Sequence, residues 1–367
     1  MRESQETETG NAKFLFLFFC LLVIILVGCE EEGTNKAVPE EKKQQDVTIK
    51  PLPLSDEKHT FQNAYGWISE NSILYSAKAG NRTVIMTYEF GTGKKKEIFS
   101  TTEMVGGVSI SPNKEIILVY MPNGQNKMGI HILECNGKEL YSFTIAAHEL
   151  TVSWNPFSDN MILIDSFNEE WSFQSYICYF ELGKLEKVAL PKPFAQWQSA
   201  HSVVYLDWNE ETPQLTTPLK SYDLLTSSSK DLYQDSITFR AEKEILLTIN
   251  QHKEDSMALQ YEFHKWNGQS YKTMKAPAIG SYSDWVIQPF ELVAPKNTFI
   301  TFVPYESALV DQYQKRYRLI AFNWKTGKQE VLKERIDAAS IACSPQGNKC
   351  LYGNKLENSF EYKKISP

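Results

Sequence analysis

Beyond residue 60 the chain shows no amphipathic stretch with helical spacing of ordinary length. Its apolar residues come in short blocks rich in Val, Ile, Tyr and Phe, cut by Gly, Pro, Asn and Asp, the pattern of strands joined by turns. One motif recurs: a few apolar residues, a tight polar turn, then four or five apolar residues. It reads GWISENSILYSA from Gly66, VSISPNKEIILVY from Val108, VSWNPFSDNMILID from Val152 and SIACSPQGNKCLYG from Ser340. Weaker copies start at Ile237 and Leu292, and the poorest lies near Ala200 to Tyr205. Seven inner hairpins are therefore predicted.

A second signal runs in phase with the first. Glycine turns at Gly93, Gly137, Gly183, Gly268 and Gly327 are spaced by 44, 46, 85 and 59 residues, and glycine supplies the positive φ that a tight hairpin needs. The 85-residue gap is two periods, with Ser227-Ser228-Ser229 standing where the missing glycine turn falls. Two hairpins per period of about 44 residues make a four-stranded unit that cannot cover both its faces alone, so neighbouring units must stack radially. An all-β propeller of four-stranded blades follows. Seven inner but six outer hairpins favour seven blades over six, the last taking Asn358 to Ile365 as its third strand and borrowing Val47 to Pro53 as its fourth. An array of sandwich domains is excluded, because each needs about 100 residues.

The amino end reads differently. Phe14 to Val27 is an apolar run of 14 residues followed by Gly28-Cys29; as a helix it spans roughly 21 Å, short of a bilayer's hydrocarbon core of about 30 Å. The ending resembles a lipobox, in which the cysteine thiol is lipidated before cleavage on its amino side. The expected division is a lipoprotein signal peptide at 1–28, the lipidated Cys29 with an acidic disordered linker at 29–46, and the propeller at 47–367. The n-region departs from the usual positive pattern, with Glu3, Glu6 and Glu8 beside Arg2 and Lys13. Glu30 to Asp46 holds six acidic and three basic residues and no aromatic, too little apolar area to offset its ordering entropy. Location at the extracytoplasmic face of the cell membrane, through a lipid anchor, is expected.

The Ser-Pro-Asn-Lys turn at 111–114 and the Ser-Pro-Gln-Gly-Asn-Lys turn at 344–349 resemble the WD40-like repeats of TolB-type propellers. With the lipobox, the acidic linker and the Gly-Trp-Ile-Ser-Glu-Asn-Ser-Ile-Leu-Tyr first blade, nearly the whole chain resembles the YqgU-like propeller lipoproteins of low-GC Gram-positive bacteria. That resemblance implies a six-bladed fold and an envelope location, and it implies no activity.

Charge and chemistry narrow the function. The net charge of −7 over 367 residues, with only 6 Arg among 38 basic residues, argues against nucleic acid as a partner. No histidine pair has helical zinc spacing, and no nucleophile elbow or P-loop is present; Ser111-Pro112-Asn113-Lys114 and Ser227-Ser228-Ser229-Lys230 match S-x-x-K in turns, where a helix start is needed. No cofactor and no metal are expected. Cys343 and Cys350 flank the last inner turn and face one another, either as a disulfide or as two buried thiols, while Cys135 and Cys178 are expected free. Trp67, Trp154, Trp197, Trp208 and Trp285 serve as wedges between blades or as a sugar-stacking platform. The second-to-third-strand connections at 167–175, 208–218, 251–256 and 305–315 read as long and polar. They share a face with the blade crossings, from which Glu149, Gln198, Asp284, Arg335 and Asp337 are expected to gather at the channel mouth. The expected function is a binding or scaffold module for an envelope protein or small ligand. The alternative is a secreted lyase, glycosidase or peptidase-like enzyme with its site at the channel mouth.

Overall fold

The computed structural model describes residues 46–209, 211–212, 214–281 and 284–362. Cys20, Cys29 and the linker up to Gln45 lie outside the described residues. Seven antiparallel four-stranded sheets form the blades. Blade one runs Thr60–Trp67, Ser72–Ala79, Arg82–Glu89 and Lys95–Thr101, and blade two runs Gly107–Ile110, Ile116–Pro122, Lys127–Glu134 and Glu139–Ala146. Blade three is Glu149–Trp154, Met161–Phe167, Phe173–Tyr179 and Lys184–Val188; blade four is Gln196–Trp197, Ser202–Leu206, Thr217–Asp223 and Ser228–Ser236. Blade five comprises Thr238–Ala241, Leu246–His252, Asp255–His264 and Met274–Pro277, and blade six Phe290–Val293, Thr298–Pro304, Tyr317–Asn323 and Gln329–Ile336. Blade seven is composite. Its strands Ile341–Cys343, Lys349–Tyr352 and Asn358–Glu361 are completed by Lys50–Pro51 from the amino end, with Lys50 opposite Ser359. The ring is closed by the predicted borrowed strand.

The core lies between blades. Seven apolar clusters each span two neighbouring blades, as where Leu118, Ile130 and Ile132 of blade two meet Ile162, Ile164 and Phe180 of blade three. This explains why second strands such as Met161–Phe167 and Thr298–Pro304 are buried along their whole length: both faces of each blade are covered, so apolar runs replace alternation. Fourth strands at the rim are more exposed, and Glu139–Ala146 returns to alternation.

Three predicted wedge tryptophans also tie the ring together. Trp67 Nε1 donates to Ala342 O at 2.9 Å, from blade one to blade seven. Trp154 Nε1 donates to Ser109 Oγ at 2.8 Å and Trp197 Nε1 to Ser153 O at 2.9 Å. The outer turns fall where the glycine spacing put them, with Gly93, Gly137, Gly183, Gly268 and Gly327 all at positive φ and Ser227 (φ 54°) taking the same conformation in blade four. One loop differs from expectation: blade five's strands continue through His252 and Asp255, so 251–256 is a tight hairpin and not a long connection.

Candidate functional site

Within each blade, the turns joining strands one to two and three to four lie on one face of the ring. The loops from strand two to three and the crossings to the next blade lie on the other, here called the loop face. Of the five residues expected to gather there, Glu149 opens blade three, Asp284 sits in the crossing into blade six, Arg335 sits near the end of blade six's fourth strand and Asp337 in the crossing into blade seven. All four are exposed. Arg335 and Asp337 share one network: Asp337 Oδ1 pairs with Arg316 Nε at 3.0 Å, Arg316 donates to Arg335 O at 3.3 Å, and Arg335 N donates to Tyr305 Oη at 3.2 Å. Among the described residues no hydrogen bond or ion pair connects Glu149 with Asp284. Gln198 departs from expectation. Strand one of blade four ends at Trp197, which puts Gln198 in the inner hairpin turn on the opposite face, where it accepts a hydrogen bond from Ser221 Oγ.

The central channel carries charged groups that no local sequence motif marks. Its cavity, about 640 Å³, is lined by first strands and inner turns of blades two to seven, including Lys114, Arg240, Glu242 and Glu291. Arg240 Nε pairs with Glu242 Oε1 at 2.9 Å, and about half of the Arg240 side chain stays open to solvent in the lumen. Glu291 Oε1 accepts from Cys343 N at 3.3 Å, linking blades six and seven. Burial, opposed by nearby Arg240, raises the Glu291 carboxyl to about 7. Burial also lowers the Lys114 ammonium from its ordinary value, with Glu291 and Glu242 opposing that shift. Among the described residues no group of three or more His, Cys, Asp or Glu is placed to hold a metal ion. Arg240 and Glu291 lie on the first strands of blades five and six, and Lys114 and Glu242 in the inner turns that follow the first strands of blades two and five, so reading every blade's first strand and inner turn together would have exposed them.

A second feature lies on the loop face where blade three meets blade four. Phe167, Trp171, Phe173, Phe194 and Trp208 line a groove of about 630 Å³ together with Glu170 and Ser172. Phe167 stacks on Phe194 with centroids 5.2 Å apart, and Trp171 packs on Phe167 at 5.9 Å. Trp171 and Phe194 are 64% and 49% exposed, yet both have φ of 62°, a left-handed conformation that costs a bulky residue about 1–3 kcal/mol. Each is held there by an acidic or amide side chain. Asn168 Oδ1 accepts from Ser172 N at 2.8 Å and Glu170 N at 3.1 Å, which folds the Trp171 loop. Asp165, 2% exposed, accepts from Phe194 N at 2.8 Å, Ser175 Oγ at 2.5 Å and Thr151 Oγ1 at 3.3 Å. Phe194 lines both the groove and the channel cavity, so the two spaces adjoin. Trp208, named from sequence, belongs to this shelf; Trp171 was not singled out.

Cys343 and Cys350 stand opposite each other in the last inner hairpin and are joined by a disulfide. Cys135 and Cys178 are free.

Seven radial sheets around a solvent-open channel, with tight turns on one face and longer loops on the other, define a β-propeller whose surface chemistry is concentrated at the loops and the lumen. The chain belongs to the YqgU-like 6-bladed beta propeller domain family, whose model matches residues 89–353. That span starts at the end of blade one's third strand and stops before Asn358–Glu361, so three strands of blade one and the two outer strands of blade seven fall outside it; the chain itself has seven blades. It is 25% identical to the uncharacterized lipoprotein YqgU of Bacillus subtilis (strain 168) over 342 residues, 93% of this chain and 92% of that one. Among solved structures it is similar to lmo1340, an uncharacterized protein of Listeria monocytogenes EGD-e, with TM-score 0.75 and 26% identity over 82% of this chain and 91% of that one. The β-propeller domain of the Trilobed protease from Pyrococcus furiosus matches with TM-score 0.54 and 11% identity over 85% of this chain and 100% of that one, a likeness of fold.

Proposed function

We propose that this protein is an exported lipoprotein, anchored through Cys29 on the extracytoplasmic face of the membrane, whose propeller binds an envelope protein or ligand with its loop face. One observation carries the reading. Among the described residues, the exposed large hydrophobic side chains concentrate on that face: Met104 (72%), Trp171 (64%), Val310 (50%), Phe194 (49%), Leu215 (46%), Met257 and Tyr305 (37% each), against Leu140, Leu182 and Leu225 elsewhere. Apolar surface of this kind, on the same face as Glu149, Asp284, Arg335 and Asp337, suits a partner with both apolar and hydroxyl or cationic groups. The lipoprotein name of the Bacillus subtilis relative supports the anchor, and a linker of about 17 polar residues after Cys29 gives the face room to meet its partner.

Two experiments test this. Cys29→Ala is expected to move the chain from the membrane fraction to the soluble fraction; retention in the membrane with an uncleaved amino end rejects the anchor. Capture of partners by the full chain from envelope extract, quantified by mass spectrometry, tests the face. Loss is expected for the triple variant Met104→Ser, Leu215→Ser, Val310→Ser and for Glu149→Ala, Asp284→Ala, Asp337→Ala, but not for the opposite-face control Leu182→Ser, Leu225→Ser. Equal recovery by all three rejects the loop face.

A second reading rests on Glu291. A carboxyl raised to about 7 beside Arg240 in a cavity of about 640 Å³ is suited to proton transfer in the channel. Hydrolysis or elimination of an envelope substrate that is lost in Glu291→Gln is its test.

A further inference from the structure

We infer that the aromatic shelf between blades three and four is a saccharide subsite whose occupant is a pyranose ring of an envelope glycan, an inference that rests on the loop face being the working surface. The shelf is built and not incidental. Two aromatic residues adopt left-handed backbone, Trp171 in a loop folded by Asn168 and Phe194 through its N–H bond to the buried Asp165. Burial holds the Asp165 carboxyl above its usual range, with its hydrogen bonds opposing, so keeping it there costs the fold stability. The rings so placed are not used for the core, since Trp171 is 64% and Phe194 49% exposed. Strain maintained to present exposed rings is the signature of a binding surface.

The lining selects among ligands. It contains five aromatic residues, Glu170 and Ser172, and no aliphatic side chain. An aliphatic peptide segment would find flat rings where it needs complementary pockets. A pyranose presents a flat C–H face to an aromatic ring and hydroxyls at its edge, which Glu170 and Ser172 meet as hydrogen-bond partners. Glu170 lines the groove and the chain carries −7 overall, which disfavours nucleobases on a phosphate backbone. The Lys192 ammonium already lies 5.7 Å over the Trp208 ring, which opposes a quaternary ammonium guest. Because Phe194 also lines the channel cavity, a glycan longer than one ring would run from the shelf toward the channel.

The test is a tryptophan-fluorescence titration of the full chain in detergent with two neutral probes, the β-1,4-linked tetramers of glucose and of N-acetylglucosamine. Saturable change is expected with at least one of them. Trp171→Ala and Phe194→Ala are each expected to weaken that binding about tenfold or more, read by calorimetry, while melting stays at the wild-type temperature because neither ring is buried. Trp285→Phe, on another crossing, is expected to bind as wild type. Binding of neither probe, or equal binding by wild type and Trp171→Ala, overturns the inference. If sugar binding fails while capture by the loop face succeeds, the saccharide assignment alone is wrong. If both fail, the loop-face reading beneath it falls too.

Discussion

Ring closure in this propeller depends on one carboxylate whose removal has a calculable effect. Glu70, in the inner turn of blade one, accepts from Ser344 Oγ at 3.0 Å, Gln346 N at 2.8 Å and Asn348 Nδ2 at 3.0 Å, all in the inner turn of blade seven. With Trp67 and the Lys50–Pro51 strand it joins the first blade to the last. Hydrogen bonds to a charged acceptor contribute about 1.5–3 kcal/mol each when shielded, and less where water substitutes. Glu70 is half-buried and Ser344 is 3% exposed, so the Ser344 bond counts most and the other two are partly replaced by solvent. A loss of about 3 kcal/mol in Glu70→Ala follows. With an unfolding entropy of about 2.1 cal/mol/K per residue over roughly 320 residues, that lowers Tm by about 4–5 °C. The loss should also be local. Calorimetry measures the first effect, and native-state hydrogen exchange is expected to show faster exchange for strands 341–352 than for blades three and four. A Tm within about 1 °C of wild type, or acceleration spread evenly over the ring, would refute the clasp.

Three further outcomes follow from the same structure. Gly137→Ala is expected to destabilise by about 2 kcal/mol or more, read as a Tm drop of at least 3 °C, because Gly137 sits at φ 99° and a β-carbon there would run into the Ile98 carbonyl of blade one. Glu291 binds its proton more tightly folded than unfolded, so its contribution is fully present below about 4.5 and is lost as pH rises through about 7. Denaturant titrations at pH 5 and pH 8 should therefore show a fall in stability for wild type that is smaller in Glu291→Gln, on the order of 2 kcal/mol less after allowing for solvent in the channel; equal falls would remove Glu291 from the explanation. Replacing Cys343 and Cys350 by alanine opens a short loop and is expected to cost about 2 kcal/mol, and thiol titration of the denatured wild type is expected to count two more thiols with reductant than without, equal counts refuting the disulfide.

What the sequence made legible was whatever repeats. Inner turns recur because every blade needs one, and the mismatch between inner and outer hairpins pointed to Lys50–Pro51 closing blade seven. The tryptophans of strand one read as wedges because a large ring ahead of a tight turn has a neighbouring blade to fill, and Trp67 and Trp197 are 2% and 1% exposed. Legibility failed where one blade deviates. Blade four has a first strand of only two residues, Gln196–Trp197, and reading its turn a few residues late moved Gln198 to the wrong end. At 251–256, polar residues suggested a loop, but a strand end on the loop face meets solvent and tolerates His252 and Asp255.

The candidate sites were hidden for a different reason: they depend on contacts between distant segments. Arg240 and Glu291 are charged residues inside short first strands that carry no motif, and only ring closure turns those strands toward a shared lumen where charge is acceptable. Phe194 follows two prolines in Pro191-Lys192-Pro193 and reads as a linker aromatic. Its conformation is set by Asp165, a residue 29 positions earlier inside a strand that otherwise reads as core. A carboxylate in an otherwise mostly apolar strand is the local irregularity from which the shelf could have been found. Its three hydrogen-bond donors come from strands one and three of blade three and from the crossing into blade four. Replacing Asp165 with Asn keeps the size while weakening the bond to Phe194 N, so it should loosen the shelf before it unfolds the blade. Saccharide affinity falling further than Tm in Asp165→Asn would place Asp165 as a positioning residue; a fall in Tm alone would make it a core hydrogen-bond hub and nothing more.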